Sequence, residues 1–286
     1  EPRLGKTVVT ANVLALDRNV HKVLIACPKN AMFVWRDHLK EWFAHLAPDR
    51  EIDIRVVKGK GSTAAAERRE LWLRPSNADV VVWIVTWGSL DRDIELLQLP
   101  STIKSGLVFD TVIGDEVHFR LRNRKNKAVK YFKWLTRPQT CKRCHFLSGT
   151  MPGKGGPPDF WALLNMINPG LFSSFWRFVD TYMVTIKNHW GGMEIIEPKN
   201  IENFHRYVLD KYSRRRFRHI CAPQMPKIQR DLLKVEATDE QMKLLIGLEE
   251  DGFVWAEPQY TPTHEEGVEK GKLIIAATSM EAVLRK

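Results

Sequence analysis

The chain has 286 residues, of which 44% are hydrophobic, and 44 Lys and Arg against 34 Asp and Glu give a formal net charge of +10. This length and composition suit a soluble protein with a real core, and no apolar run approaches the ~18–20 residues that would span a bilayer, so we expect no membrane partner. The cationic surplus favours a polyanionic partner over a surface that is charged only for solubility.

Five short apolar segments predict strands over residues 23–27, 52–57, 80–85, 107–113 and 145–147. They are nearly continuous rather than alternating, which is typical of strands buried on both faces. Helical spacing of apolar residues lies between them, over 6–16 and from Met32 through Trp35, Leu39 and Phe43. Strands that alternate with helices predict an α/β fold with a parallel sheet.

A phosphate-binding pattern opens the first helix at Gly5-Lys6-Thr7. The full loop reads G-x-x-x-x-G-K-[ST], so its first glycine would precede Glu1, and we expect the sequence to be trimmed at this end. Gly5, next to Leu4 in the predicted nucleotide-binding loop, lets the backbone approach phosphates at a helix N-terminus. Lys6 would reach the β- and γ-phosphates of ATP, and Thr7 would ligate Mg²⁺. The alternative is a chance Gly-Lys-Thr, which is common in proteins.

The fourth predicted strand delivers two adjacent acids, Asp115 and Glu116, to its C-terminal end. This is the arrangement of a Walker B motif, in which Asp115 would hold Mg²⁺ and Glu116 would orient and deprotonate the attacking water. His118 would lie at the interface with the next motif. The alternative is an ordinary acidic pair that caps the next helix, but a preceding Gly-Lys-Thr favours the metal site.

The fifth predicted strand leads into Ser148-Gly149-Thr150, a third short motif, which we expect to couple ATP hydrolysis to a nucleic-acid partner. Beyond it, the predicted elements are a Gly/Pro-rich breaker over 153–158, a helix over 160–167, helices and loops over 172–220, a return strand over 228–235, a capped helix start at Thr238 and a final helix over 273–284. The predicted domains are an ATP-binding lobe over 1–170, a helical protrusion over 171–226, and a return strand with helices over 227–286.

The four cysteines, Cys27, Cys141, Cys144 and Cys221, are too few and too dispersed for a disulfide framework. An intracellular, reducing compartment is therefore predicted, in the cytoplasm, the nucleoid or the nucleus, with a virus-encoded source as one option. The segment from Cys141 through Cys144 to His145 matches a haem-attachment pattern and half of a zinc site. No second Cys/His pair with ligand spacing follows, so we expect no metal there.

Together the ordered motifs resemble those of superfamily-two helicases, and within that superfamily the Swi/Snf-type ATPases. One departure is Arg3, which stands where that family usually has glycine. The matching segments are Ala26-Cys27-Pro28-Lys29 followed by Trp35 (motif Ia), Val85-Thr86-Trp87 (motif Ib), Asp115-Glu116-Val117-His118 (the DEAH-type box), Ser148-Gly149-Thr150-Met151-Pro152 (the third motif), the LLN-containing stretch from Trp161 to Phe172, Ser213-Arg214-Arg215-Arg216, and Pro226-Lys227-Ile228.

This resemblance implies a RecA-like P-loop NTPase lobe with a helical insertion after the third motif, using ATP and Mg²⁺. It also implies a second RecA-like lobe after Lys286 that carries an arginine finger, so the chain alone is expected to hydrolyse ATP weakly or not at all. The DNA backbone would be bound without reading sequence. The residues expected to contact DNA are Pro28, Lys29, Thr86, Arg122, Arg124, Lys125, Arg214 and Arg215.

The predicted function is therefore the ATP-binding lobe of a DNA-dependent motor that moves along duplex DNA. One alternative is a strand-separating helicase or a restriction-type translocase subunit, which shares the site chemistry and differs in output. Another is a DNA-binding scaffold without ATPase activity, against which intact Lys6 and Glu116 argue. For each basic cluster, the alternative to DNA binding is a solvent-exposed basic surface without a partner. We expect Trp87 and the aromatic residues of the protrusion to be core rather than DNA-facing.

Overall fold

The computed structural model describes residues 4–59, 61–104, 107–150, 155–221, 223–224, 242, 253–256 and 272–276. The chain divides into two compact units, residues 1–225 and 226–286. No helix within the described residues is long and apolar enough to cross a membrane. The predictions that lie outside these residues concern Arg3, Met151 and Pro152 of the third motif, part of the breaker over 153–158, Pro226-Lys227-Ile228, the return strand over 228–235 and the helix start at Thr238.

The first unit is built on a sheet of five strands, all paired in parallel, whose bounds are β1 Lys22–Cys27, β2 Ile52–Val57, β3 Val80–Thr86, β4 Phe109–Asp115 and β5 Cys141–Leu147. Their order across the sheet is β2-β3-β1-β4-β5. Strand β1 therefore lies between β3 and β4, with Ala26 opposite Val85 on one side and Gly114 on the other. The carboxyl ends of these three strands meet at one edge, where ligands bind in open α/β sheets.

Helices cover both faces of the sheet, with bounds α1 Lys6–Leu16, α2 Met32–Leu46, α3 Ser62–Leu73, α4 Trp87–Gln98, α5 Pro100–Lys104, α6 Lys127–Leu135 and α7 Pro158–Ile167. Helices α1 and α2 pack on one face with Val23 and Ile25, while α3, α4, α6 and α7 pack on the other with Leu24 and Ala26. Because successive residues of β1 face opposite covered sides, the strand is apolar without alternation. The predicted RecA-like α/β fold is confirmed.

All five predicted strands of the sheet are found, although the fifth begins at Cys141, four residues before its predicted start. The first helix and the second strand have the predicted bounds, Lys6–Leu16 and Ile52–Val57. The fourth strand was predicted to end at Ile113, but it continues through Asp115, which pairs with Leu147 of β5. Asp115 is therefore held by the sheet itself rather than by the loop that follows.

The segment predicted as helices and loops over 172–220 contains an antiparallel hairpin, so that prediction was wrong in part. Its elements are α8 Phe175–Tyr182, β6 Met183–Lys187, β7 Met193–Pro198, α9 Ile201–Phe204, a π-helix His205–Leu209, α10 Asp210–Tyr212 and α11 Arg218–Cys221. The turn is closed by Asn188, whose Oδ1 accepts from the backbone nitrogens of Trp190 and Gly192. β-branched residues on both strands favour this pairing, which helical spacing of aromatics obscured.

The second unit also departs from prediction. Part of the final helix expected over 273–284 is a strand, β9 Lys272–Ala276, paired antiparallel with β8 Phe253–Ala256. The consecutive β-branched residues Ile274 and Ile275 favour a strand, and only the pairing partner reveals it. The remainder of that predicted helix lies outside the described residues.

Trp87 and most of the aromatic residues that were predicted to be the core of the protrusion are buried. Trp87, Trp161, Phe172 and Phe178 are each at most 7% exposed and belong to one hydrophobic cluster. Trp176 is 42% exposed, and Trp190, on the turn of the hairpin, is 90% exposed, so not every aromatic side chain of this region is core.

Candidate active site

Residues from three predicted motifs meet at the carboxyl edge of the sheet. Lys6 begins α1, and its Nζ lies 3.4 Å from Oε1 of Glu116, just beyond β4. The other oxygen of Glu116, Oε2, accepts from the backbone nitrogen of Gly149 at 3.3 Å and lies 3.3 Å from Nδ1 of His118. That same Nδ1 lies 2.8 Å from Oγ of Ser148. Glu116 thus connects the phosphate-binding motif, the acidic box and the third motif.

The phosphate-binding motif has the local conformation that its sequence predicts. Gly5 has φ 75° and ψ 25°, a left-handed conformation that glycine adopts without steric cost, and it precedes the 11-residue helix α1. A Cβ on Gly5 would meet no atom within 4 Å, so backbone conformation rather than space favours glycine here. Leu4, Lys6 and Thr7 are partly exposed at this helix start, where backbone N–H groups are free to bind an anion.

Asp115 is a buried carboxylate, 5% exposed, with a defined set of donors. Its Oδ2 accepts from Nε1 of Trp35 at 3.0 Å, and its Oδ1 accepts from the backbone nitrogen of Glu116 at 3.0 Å. Burial raises the pKa of Asp115, and the neighbouring Glu116 charge adds to that rise, while the Trp35 hydrogen bond opposes it. A nearby cation would favour the charged form of such a group.

Glu116 adopts a backbone conformation that is rare outside glycine. Its φ of 50° and ψ of 47° are left-handed. This conformation costs a residue other than glycine roughly 1–3 kcal/mol, and residues strained in this way cluster at functional sites. The turn carries the chain out of β4 and into the short 3₁₀ segment Val117–Phe119. Burial lowers the pKa of His118 in that segment, while the negative charge of the neighbouring Glu116 opposes this shift.

Gly114, one residue before Asp115, leaves no room for a side chain. A Cβ there would lie 2.8 Å from Cγ1 of Val117 and 3.3 Å from Cη2 of Trp87. We therefore expect Gly114→Ala to lower the free energy of unfolding by about 1–3 kcal/mol, measured by urea denaturation. The matched control is Gly88→Ala in α4, where the nearest atom would be 3.9 Å away, and equal stability of the two variants would contradict the expectation.

Two of the predicted DNA-contacting segments end neighbouring strands at this same edge. Pro28 and the exposed Lys29 follow β1, and Thr86 ends β3, where it is paired with Cys27. The hydroxyl of Thr86 accepts from the backbone nitrogen of Ser89 at 3.1 Å and so caps α4. Thr86 therefore has a structural role that the motif pattern did not predict.

The two predicted basic clusters are found on different elements. Arg122 lies 3.7 Å from Asp159, and the guanidinium of Arg124 lies 4.1 Å from the ring centroid of Phe175, while Lys125 is exposed. In the second cluster, Arg214 and Arg215 are exposed. Arg214 donates to the carbonyl oxygen of Asp210, and Arg215 lies 4.7 Å from the ring centroid of Phe217. Both clusters thus combine protein contacts with exposed positive charge.

Sequence reasoning missed the roles of two tryptophans. Trp35 was noticed only as part of a motif and a helical face, yet it donates to Asp115 across 80 residues of chain. Trp87 was predicted as core, which is confirmed, but its Nε1 also donates to the backbone oxygen of Asp115 at 3.1 Å. The spacing of the sequence carries no signal for contacts that depend on the packing of separate helices on one sheet.

A comparison with known families identifies the chain over most of its length. The SNF2-related domain matches residues 1–254. The chain belongs to this family. The resemblance to Swi/Snf-type proteins that the motifs carry is thereby confirmed.

Individual SNF2-related relatives are distant and much longer. The chain is 24% identical over 266 residues to the chromatin structure-remodeling complex subunit snf21 of Schizosaccharomyces pombe, covering 90% of this chain and 20% of that protein. It is 23% identical over 256 residues to the chromatin-remodeling ATPase INO80 of Cryptococcus neoformans, covering 85% and 13%. The SNF2-related chain thus spans 20% or less of these relatives.

One solved structure is similar over part of the SNF2-related chain. It is a nuclease-deletion mutant of the Type ISP restriction-modification enzyme LlaGI in complex with a DNA substrate mimic. The likeness covers 51% of this chain and 13% of that one at 21% identity, with a TM-score of 0.33. A similarity of this size is too low to compare the two sites.

Proposed function

We propose that this SNF2-related chain is the ATP-binding and ATP-hydrolysing lobe of a DNA-dependent motor that moves along double-stranded DNA. The observation that supports this most is the cluster at the carboxyl edge, where Glu116 lies within 3.4 Å of both Lys6 and His118 and accepts from Gly149. In this cluster, Lys6 would bind a phosphate and Glu116 would activate water, while His118 and Gly149 would connect Glu116 to the third motif. The name of a relative, chromatin-remodeling ATPase, is consistent with this chemistry.

The residues at this edge fit ATP with Mg²⁺. Magnesium usually binds one or two carboxylates together with substrate phosphates and waters, so Asp115 and Thr7 suffice as its protein ligands. Lys6 would bind the β- and γ-phosphate oxygens, and Gly5 would let the backbone approach them. Bound Mg²⁺ would neutralise part of the phosphate charge. Glu116 would orient the attacking water and accept its proton.

The proposed partners are DNA and a second RecA-like lobe. Lys29 and Thr86, at the ends of β1 and β3, would contact the DNA backbone together with the two basic clusters, without reading sequence. The contact between His118 and Ser148 would carry changes at Glu116 to the third motif. Full hydrolysis is proposed to require an arginine from the second lobe. An intracellular, reducing compartment is proposed as the location, and the four free cysteines are compatible with it.

Binding to duplex DNA tests the nucleic-acid half of the proposal. We expect this chain to bind a labelled duplex of arbitrary sequence with an affinity that falls as salt rises. Each lost phosphate contact should reduce the slope of log affinity against log salt by about 1, so the double variant Arg122→Ala with Lys125→Ala should reduce it by about 2. Fluorescence anisotropy at several salt concentrations measures this slope.

The control for this titration is Lys142→Ala. Lys142 is an exposed lysine in the second position of β5, at the opposite end of the strand from Ser148, and it pairs with Asp110 at 2.9 Å. Its removal should leave the slope unchanged. Binding that depends on base sequence, or a slope that Lys142→Ala reduces as much as the double variant does, would argue against a backbone-binding surface near the acidic box.

A further inference from the structure

Asp115 is held in place by indole groups from two different helices. Nε1 of Trp35, in α2, donates to the carboxylate oxygen Oδ2 at 3.0 Å. Nε1 of Trp87, the first residue of α4, donates to the backbone oxygen of the same aspartate at 3.1 Å. With Oδ1 accepting from the backbone nitrogen of Glu116, both the side chain and the backbone of Asp115 are restrained.

Trp35 is placed to act on the carboxylate with little freedom of its own. It is 0% exposed and shares the buried face of α2 with Met32, Leu39 and Phe43. An indole has a single N–H donor and no acceptor, and a buried one usually finds a partner. The N–H of Trp35 donates to Asp115, the acid at the proposed metal site. A backbone carbonyl oxygen would satisfy the need of this buried N–H for an acceptor equally well.

The hydrophobic cluster on the other face of the sheet contains an indole whose N–H donates to a backbone carbonyl in this way. Trp83, in β3, is 3% exposed, and its Nε1 donates to the backbone oxygen of Leu71 at 2.9 Å. Its hydrogen bond joins a strand to the end of α3 and has no charged partner. Trp35 and Trp83 therefore differ in what their donors contact while being alike in burial and residue type.

We propose that Trp35 is a positioning residue for Mg²⁺: its N–H fixes the orientation of the Asp115 carboxylate, so that the ligand is oriented before the metal binds. This inference rests on the proposed function, because it takes Asp115 as a metal ligand. Groups that hydrogen-bond a metal ligand orient it, and their loss typically weakens metal binding by about 10- to 100-fold. The Trp35 contact joins this ligand directly to α2, the helix that begins after Lys29.

The test is a Mg²⁺ titration of nucleotide binding by this chain. A fluorescent ATP analogue is held at fixed concentration, and the Mg²⁺ concentration that gives half of the Mg²⁺-dependent signal is measured for wild type, Trp35→Phe and Trp83→Phe. We expect Trp35→Phe to raise this midpoint about 10-fold or more. Binding of the analogue in EDTA should be unchanged. Trp83→Phe, which removes an equally buried indole donor, should leave the midpoint at the wild-type value.

A second variant keeps the test decisive if Trp35→Phe does not fold. Benzothienylalanine at position 35 retains the shape of the indole and lacks its N–H, and it should raise the midpoint as Trp35→Phe does. A midpoint for Trp35→Phe or the analogue equal to that of Trp83→Phe, with wild type binding the nucleotide normally, would overturn this inference alone. Failure of wild type to bind the nucleotide with Mg²⁺ would overturn the proposed function, and this inference with it.

Discussion

Replacing Lys6 with alanine is expected to weaken binding of ATP with Mg²⁺ by about 10- to 100-fold. Hydrogen bonds to charged groups are worth about 1.5–3 kcal/mol, and every 1.4 kcal/mol is about tenfold in affinity. The Lys6 ammonium lies 3.4 Å from Glu116, so its removal also leaves the carboxylate uncompensated where phosphate oxygens would bind. Repulsion between these negative groups would add to the loss.

Calorimetry or a fluorescent ATP analogue measures this effect on wild type and Lys6→Ala. The matched control is Lys40→Ala, which removes an exposed lysine of α2 and should not change the affinity. Tight binding by wild type together with weak binding by Lys6→Ala would support the phosphate site. An affinity that Lys6→Ala leaves unchanged would instead favour a DNA-binding scaffold without ATPase function.

Replacing Asp93 with alanine is expected to have the largest effect on stability, a loss of about 3–5 kcal/mol in the free energy of unfolding. Asp93 in α4 accepts from Nε of Arg68 in α3 at 2.9 and 3.0 Å, and from Nε1 of Trp72 at 3.0 Å. The side chains of Arg68 and Asp93 are 5% and 8% exposed. Alanine would leave a buried guanidinium and a buried indole N–H without this acceptor.

Urea denaturation followed by tryptophan fluorescence measures this loss. Asp49→Ala is the control, because Asp49 pairs with Arg18 at the surface, where the two side chains are 62% and 59% exposed. The urea midpoint of Asp49→Ala should stay near that of wild type. The double variant Arg68→Met with Asp93→Met should recover part of the stability, since no unpaired charge remains. Equal urea midpoints for Asp93→Ala and Asp49→Ala would contradict the expectation that losing Asp93 from its buried pair with Arg68 destabilises the fold.

The local sequence predicted the strands of the five-stranded sheet well, because a strand that is buried on both faces is a nearly continuous run of apolar residues. Residues 80–85 are all apolar, and all are less than 9% exposed in β3. Gly5 and Lys6 were recognisable because a Gly-Lys-Thr pattern at a helix start is a local signature of phosphate binding. The acids at the end of β4 were found for a similar reason, since a polar pair after an apolar strand marks the strand's end.

Pairing between segments was predicted less well. The hairpin of β6 and β7 was read as helices and loops, and β9 as part of a helix. A short β-branched run is compatible with either state until a partner strand supplies its hydrogen bonds. The register of such a partner is not encoded in the spacing of the run itself.

The sequence by itself determined the succession of strands and helices along the chain and the chemical groups of the proposed phosphate and metal site. Both follow from local properties, namely burial periodicity and the residue types that bind phosphate and metal. The tertiary structure alone decided which of these groups touch. Glu116 contacts Lys6 and Gly149, and Trp35 holds Asp115, because β1 lies between β3 and β4 and brings distant segments to one edge. Strand order is a property of the whole packed sheet, so no single segment encodes it.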